Sequence, residues 1–177
     1  MHGSQPRSSQ DERYTDTAKR FAGAIERLAR GYEADPELRR DLVQEIHAQL
    51  WRSFAYFEGQ CSERSWAYRV AHNVAVSHMI ARRRLKAEAL SGLEEVAEIP
   101  GSDDVEASAA EADVTVRLLA TIHRLKPADR QVMLLYLEDL TAAEIGEVTG
   151  LTAGAVATRI HRIKALLADK FKLEDPQ

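Results

Sequence analysis

Apolar positions recur at helical spacing through most of the chain, and the places where the recurrence stops divide it. Phe21, Ile25, Leu28 and Ala29 fall on one face of residues 14–32, the spacing of an amphipathic helix. Gly31 and Asp35-Pro36 interrupt it, and Pro36 suits the first turn of a second helix over 37–54. There Leu42, Ile46, Leu50 and Phe54 repeat at four-residue intervals, with Asp41, Gln44, Glu45 and Gln49 on the other face. After Phe57-Glu58-Gly59 and a short polar segment, 60–65, the pattern predicts a third helix from Trp66 to about Leu85. Its stripe is Trp66, Val70, Val74 and Ala81, and its polar and aromatic positions include Tyr68, Arg69, His72, Asn73, Arg82, Arg83 and Arg84.

The pattern resumes at 114–125 with Leu118, Leu119, Ile122 and Leu125, breaks at Lys126-Pro127, and continues in a helix of about residues 128–137. Thr141-Ala142-Ala143-Glu144 then reads as a capping box, the threonine oxygen and the glutamate carboxylate each accepting from the other's amide. The short helix through Ile145 and Val148 stops at Gly150, a residue suited to the left-handed position after a helix. Thr152 caps a last helix with the stripe Val156, Ile160, Ile163 and Leu167. A short helix, a tight glycine turn and a longer basic helix together form a helix-turn-helix.

Composition agrees with an all-α chain: nine glycines and five prolines in 177 residues are few for a turn-rich all-β protein. One cysteine, Cys61, excludes an internal disulfide framework and fits a reducing cytosol, and no apolar run is long enough to span a membrane. The opening residues have no apolar core and read as a disordered polar tail over 1–13 rather than a signal peptide. Cys61, His72 and His78 have no zinc-site spacing, and neither a glycine-rich phosphate loop nor a nucleophile–base pair stands out. No catalytic residue, metal or cofactor is expected.

Charge changes the picture more than composition does. The formal net charge of −4 averages opposed segments. Residues 61–86 are net +5 and residues 151–172 net +4, whereas residues 87–113 hold nine acidic side chains and no basic one. The acidic stretch is a poor core former and reads as a flexible linker over 87–112. The expected organisation is therefore two small helical domains, 14–86 and 113–172, joined by that linker, with a short tail over 173–177.

On the last helix, 100° per residue puts Thr158, His161 and Arg162 opposite the apolar stripe, with Arg159 and Lys164 on its flanks. These are candidate base or phosphate contacts, with Lys170 a further phosphate contact; the competing reading is a protein-interaction module with a solvated face. Arg82, Arg83 and Arg84 either complement a helix C-terminus or bind phosphates. Tyr68 and Asn73 can stack on or hydrogen-bond to bases.

Three motifs in order carry a family likeness. They are Asp41-Leu42-Val43-Gln44-Glu45 followed by Trp51-Arg52; Phe57-x-Gly59 leading to Trp66-Ala67-Tyr68-Arg69-Val70-Ala71-His72-Asn73; and Leu140-Thr141-x-x-Glu144-Ile145-Gly146 through Val156-x-x-Arg159-Ile160-His161-Arg162. In these the chain resembles bacterial RNA polymerase sigma factors of the extracytoplasmic-function type, which keep regions 2 and 4. The resemblance implies a cytoplasmic transcription-initiation factor that binds core polymerase and promoter DNA. Asp41, Gln44, Glu45, Gln49 and Arg52 would dock on the β′ clamp helices, and the C-terminal domain on the β flap. Residues 60–65 would capture an unstacked base. Arg64, Tyr68, Arg69, Asn73, Arg82, Arg83, Arg84 and Lys86 would contact the −10 element; Thr152, Thr158, Arg159, His161, Arg162 and Lys164 the −35 element. The likeness also implies an anti-sigma factor as partner. The alternatives are a stand-alone helix-turn-helix regulator and a helical protein-interaction adaptor.

Overall fold

Helix ends carry much of the local instruction. Asp35 accepts from the amides of Glu37 and Leu38 at 2.9 and 3.2 Å, and Pro36 occupies the first helical turn, where an N–H would have had no partner. The Thr141 box is complete: the threonine amide donates to Glu144 at 2.8 Å and the Glu144 amide to the threonine oxygen at 3.2 Å. Gly150 has φ +78°, and its amide closes the helix on the Gly146 carbonyl at 2.8 Å.

The computed structural model describes residues 7–91 and 110–173, with side chains at 9–88 and 114–169. The order is α1 (Arg7–Tyr32), α2 (Pro36–Ser53), a 3-10 turn (Phe54–Tyr56), α3 (Glu63–Ser91), α4 (Ala110–His123), α5 (Pro127–Leu137), α6 (Ala142–Thr149) and α7 (Ala153–Leu173). Among the described residues there is no strand, and no helix is long and apolar enough to cross a membrane. The all-α expectation holds.

Two boundaries differ from expectation. Residues 7–13, read as tail, belong to α1. Polar groups hold them, which hydrophobic periodicity does not register: Gln10 donates to the Trp51 carbonyl at 2.8 Å and the Trp51 indole to Asp11 at 2.7 Å. Helix α3 is longer than predicted at both ends. It starts at Glu63 within the expected capture loop, helped by the Ser62 hydroxyl accepting from the Ser65 amide at 3.0 Å, and it runs on to Ser91. Most of the expected linker, residues 92–109, and the ends 1–6 and 174–177 lie outside the described residues.

Helices α1–α3 enclose Ile25, Leu28, Leu42, Ile46, Leu50, Phe54, Ala71 and Ala75; the second half closes on Ile122, Val132, Leu135, Ile145 and Val156. These belong to a single continuous apolar cluster, so the two halves are packed against each other. At the seam α1 approaches α5 so closely that a Cβ added at Gly31 would lie 2.4 Å from the Leu134 side chain. Beside it the Arg130 guanidinium lies 5.7 Å over the Tyr32 ring.

His72, one of the polar positions of the third helix, is fully buried inside the first half. The Tyr32 hydroxyl meets its Nδ1 at 2.9 Å, and Nε2 has no partner. Burial pushes its pKa down to about 3, so the ring is neutral. Unfolded, a histidine titrates near ~6.5, and below that pH the unfolded chain binds the extra proton. The stabilisation is therefore whole above the unfolded pKa and is lost as pH falls toward the folded one, by up to about 1.4 kcal/mol per pH unit. His72→Gln should flatten the dependence of the thermal midpoint on pH between about 6 and 4; an unchanged slope would assign the proton uptake to other groups.

Candidate nucleic-acid interface

Helix α2 turns Leu42, Ile46 and Leu50 fully inward, which leaves Asp41, Gln44, Glu45, Gln49 and Arg52 on its outer face, all exposed. Arg52 donates to Gln49 at 3.2 Å, so the last two are already joined. This face is polar, continuous and clear of the second half.

On α3 the predicted contact residues divide by their distance along the helix. Arg83, Arg84 and Lys86 are exposed near its C-terminal end, and Asn73 is exposed at its middle. Arg82 is instead tied to Glu33, with His78 adding a contact at 3.2 Å. Burial works against ionisation of Glu33, but hydrogen bonds from Arg82, the Asp35 amide and His78 outweigh it and hold its carboxyl below the usual range.

Tyr68, buried, and Arg64 and Arg69, half-buried, lie nearer the helix start and meet α6 and the turn after α5. Arg64 donates to the Glu138 carbonyl at 2.8 Å and pairs with the Glu144 carboxylate at 3.3 Å. Tyr68 is 5% exposed and donates to the Glu138 carboxylate at 3.2 Å. Burial and the adjacent Glu138 push its phenol up to about 12. Arg69 donates to the Glu147 carbonyl, and Ser65 to the Glu147 carboxylate at 2.6 Å. Arg27 of α1 completes the cluster with a forked pair to Glu138 at 2.6 and 2.7 Å. The acidic partners Glu138, Glu144 and Glu147 escaped the sequence reading. Glu144 was read only as half of a capping box, and nothing local marks the other two.

Helix α7 presents Thr158 and His161 to solvent, as its stripe predicts, and Thr152 caps its start by accepting from the Ala155 amide at 3.2 Å. The cations beside them are held back. One Arg162 nitrogen meets both Asp129 oxygens at 2.9 and 3.0 Å, and Arg159 reaches the same carboxylate at 3.5 Å. Lys164 sits 5.5 Å over the Tyr136 ring. The Lys170 side chain lies outside the described residues. Arg162 is 60% exposed, so its pair with Asp129 is worth roughly 0–1 kcal/mol and can be exchanged for a phosphate. The groove beside it, about 650 Å³, runs past Arg124, Lys126, Arg159 and Arg162. Among the described residues no cluster of His, Cys, Asp and Glu is arranged to hold a metal.

A capped helix-turn-helix beside a second helical head with a basic edge is the arrangement of a bipartite DNA-binding protein. The family descriptions agree half by half: Sigma-70 region 2 matches residues 17–85, and Sigma-70, region 4, matches residues 115–167. The chain belongs to the sigma-70 family, as a factor of the extracytoplasmic-function (ECF) type. It is 28% identical over 158 residues to the ECF RNA polymerase sigma factor SigE of Mycolicibacterium smegmatis, covering 88% of this chain and 60% of that protein. With the ECF RNA polymerase sigma-E factor of Haemophilus influenzae it shares 27% over 140 residues, 75% of this chain and 74% of the relative. A solved structure of CnrH in complex with the cytosolic domain of CnrY has the same fold, with TM-score 0.68 at 19% identity over 96% of this chain and 98% of that one.

Asp129 pairs with two of the cations on α7. Asp129→Asn should raise the affinity of the chain for duplex DNA about 2–5-fold at low salt, and Arg162→Ala should lower it, because each phosphate contact contributes one counterion to the salt slope. Fluorescence anisotropy across a salt series reads both; equal slopes for the two variants would remove Arg162 from the DNA-facing set.

Proposed function

We propose that this chain binds core RNA polymerase through the outer face of α2 and directs initiation at promoters, with α3 reading a −10 element and α7 a −35 element. The observation that carries the reading is the pairing of the two family matches, in order, with an exposed polar face on α2. Asp41, Gln44, Glu45, Gln49 and Arg52 supply hydrogen bonds and mixed charge for a protein partner. Thr158, His161 and Arg162 supply base or phosphate contacts at the upstream element, with Arg159 and Lys164 as flanking cations and Thr152 at the helix start. Asn73, Arg83, Arg84 and Lys86 are the accessible contacts for the downstream element, and Arg64, Tyr68, Arg69 and Arg82 join them once their present partners release them. The β flap is the proposed seat of the second half.

The energetics favour dependence on polymerase. A chain of net charge −4 with two small basic surfaces gains little from counterion release, so it binds promoters weakly alone. Joined to one large partner, both heads act at high effective concentration and at a fixed separation. Strand opening needs a few kcal/mol of unstacking, which a captured base offsets. The chain positions and holds; it makes and breaks no covalent bond. We place it in the cytoplasm with polymerase, and the cytosolic CnrY domain on CnrH supports an anti-sigma protein as a further partner.

Run-off transcription with purified core enzyme tests the reading: the chain should direct initiation from discrete start sites. Gln44→Ala with Glu45→Ala should weaken core binding by about ten-fold or more, as expected for interface residues worth over ~1 kcal/mol each, and leave the helical circular dichroism unchanged. Unaltered core affinity would move the docking face elsewhere. Tight, sequence-specific duplex binding with no polymerase effect would make the chain a stand-alone regulator.

A further inference from the structure

Where the end of α1, the later turns of α3 and the start of α5 converge, cations gather without matching anions. An open cavity of about 230 Å³ is lined there by Arg82, Arg83 and Lys86 of α3 and by Arg130 of α5. Glu33 is the one carboxylate in its wall among the described residues, and it is already engaged with Arg82 and His78. Arg83, Lys86 and Arg130 form no ion pair among the described residues.

Arg130 is the most buried of the four. It is 4% exposed, and its Nε has no hydrogen-bond partner. Nη1 donates to the Met79 sulfur at 3.4 Å, a weak acceptor, and Nη2 to the His123 carbonyl. A guanidinium is built to meet a carboxylate or a phosphate through its planar fork, and among the described residues this one meets neither. Burial pulls its pKa below the ordinary arginine range; Tyr32 opposes that shift, and the nearby charge of Arg83 adds to it. Two cations from opposite halves thus face one cavity and repel each other across it.

We propose that this cavity is an anion site for a diphosphate group, either free as inorganic pyrophosphate or carried by a nucleotide. A single phosphate carries roughly −1.5 to −2 near neutral pH, less than Arg83, Lys86 and Arg130 supply together; a diphosphate matches them more nearly. The donors also stand in two banks, one on α3 and one on α5, so two linked phosphates can each take a bank. An anion between Arg83 and Arg130 replaces their repulsion with two attractions, stronger in a partly enclosed site than at open surface. Arg83 and Lys86 are exposed at the rim and admit the ligand from solvent. A duplex backbone can touch that rim, but Arg130, set into the wall, selects an anion small enough to enter.

Isothermal titration of the full chain with inorganic pyrophosphate, in magnesium-free buffer at fixed ionic strength, reads the site. Saturable one-to-one binding is expected. Arg83→Gln and Arg130→Met should each weaken it by about ten-fold or more, since each removes a charge-assisted contact. Lys19→Ala removes an exposed charge of α1 outside the cavity wall and should change affinity by less than about two-fold, through screened long-range attraction alone. Titrations with adenosine diphosphate and orthophosphate separate the sources. Equal affinity for pyrophosphate and adenosine diphosphate upholds recognition of the diphosphate itself, and tighter binding of either upholds the site and names its carrier. Orthophosphate binding as tightly as both would overturn the diphosphate assignment. Heats that never saturate, or an equal loss in Lys19→Ala, would reduce the cavity to general attraction between charges and overturn the site. Should Arg130→Met lose its cooperative melt, the exposed Arg83 decides: undiminished affinity in Arg83→Gln refutes the proposal.

Discussion

One stretch of helix, Arg64 to Arg69, ties the two halves of the chain together, and the rest of the structure is arranged around that contact. Its donors are hydrogen-bonded to Glu138, Glu144 and Glu147 across the seam. Two of the arginine bonds go to backbone carbonyls, Arg64 to Glu138 and Arg69 to Glu147, and one to the Glu144 carboxylate. Ion pairs at a solvent margin contribute little by pairing alone, so what decides is geometry: the fold sets these acceptors beside α3.

The rest of the first half is arranged so that this stretch is stiff. Tyr32 and His72 lock α1 to α3 through a buried hydrogen bond, with their rings 5.5 Å apart and nearly perpendicular. Trp66 donates to Ser53 at 2.9 Å and packs on Phe57, fixing the start of α3 to the end of α2. A helix so held presents its donors at defined positions whichever acceptor arrives. The outer face of α2 and the start of α3 thus belong to one tightly joined unit.

The sequence made the helices and the helix-turn-helix legible because those features are local. Asp35-Pro36, the Thr141 box and Gly150 each act within a few residues, and each behaves as its chemistry requires. The exposed sets on α2 and α7 followed from angle alone. Association of the halves was not legible, since Leu134 and Tyr32 look like members of their own stripes, and Gly31 looks like a break rather than a point of close approach. Arg64, Tyr68 and Arg69 gave no local sign of their partners, which lie some 70–80 residues away. The helical start at Arg7 was missed for the same reason: its stabilising contacts, Gln10 and Asp11 on Trp51, are polar and distant in sequence.

Glu144 serves two masters. Its carboxylate accepts from the Thr141 amide, which with the threonine hydroxyl holds its pKa low, and it also pairs with Arg64 across the seam. Any change there that loosened the clasp would fray the first turn of α6 and blunt the DNA-reading motif that α6 supports. Glu138 and Glu147 hold the same seam without a side-chain cap to keep, so a change at either touches the contact between the halves and spares the fold of the helix-turn-helix.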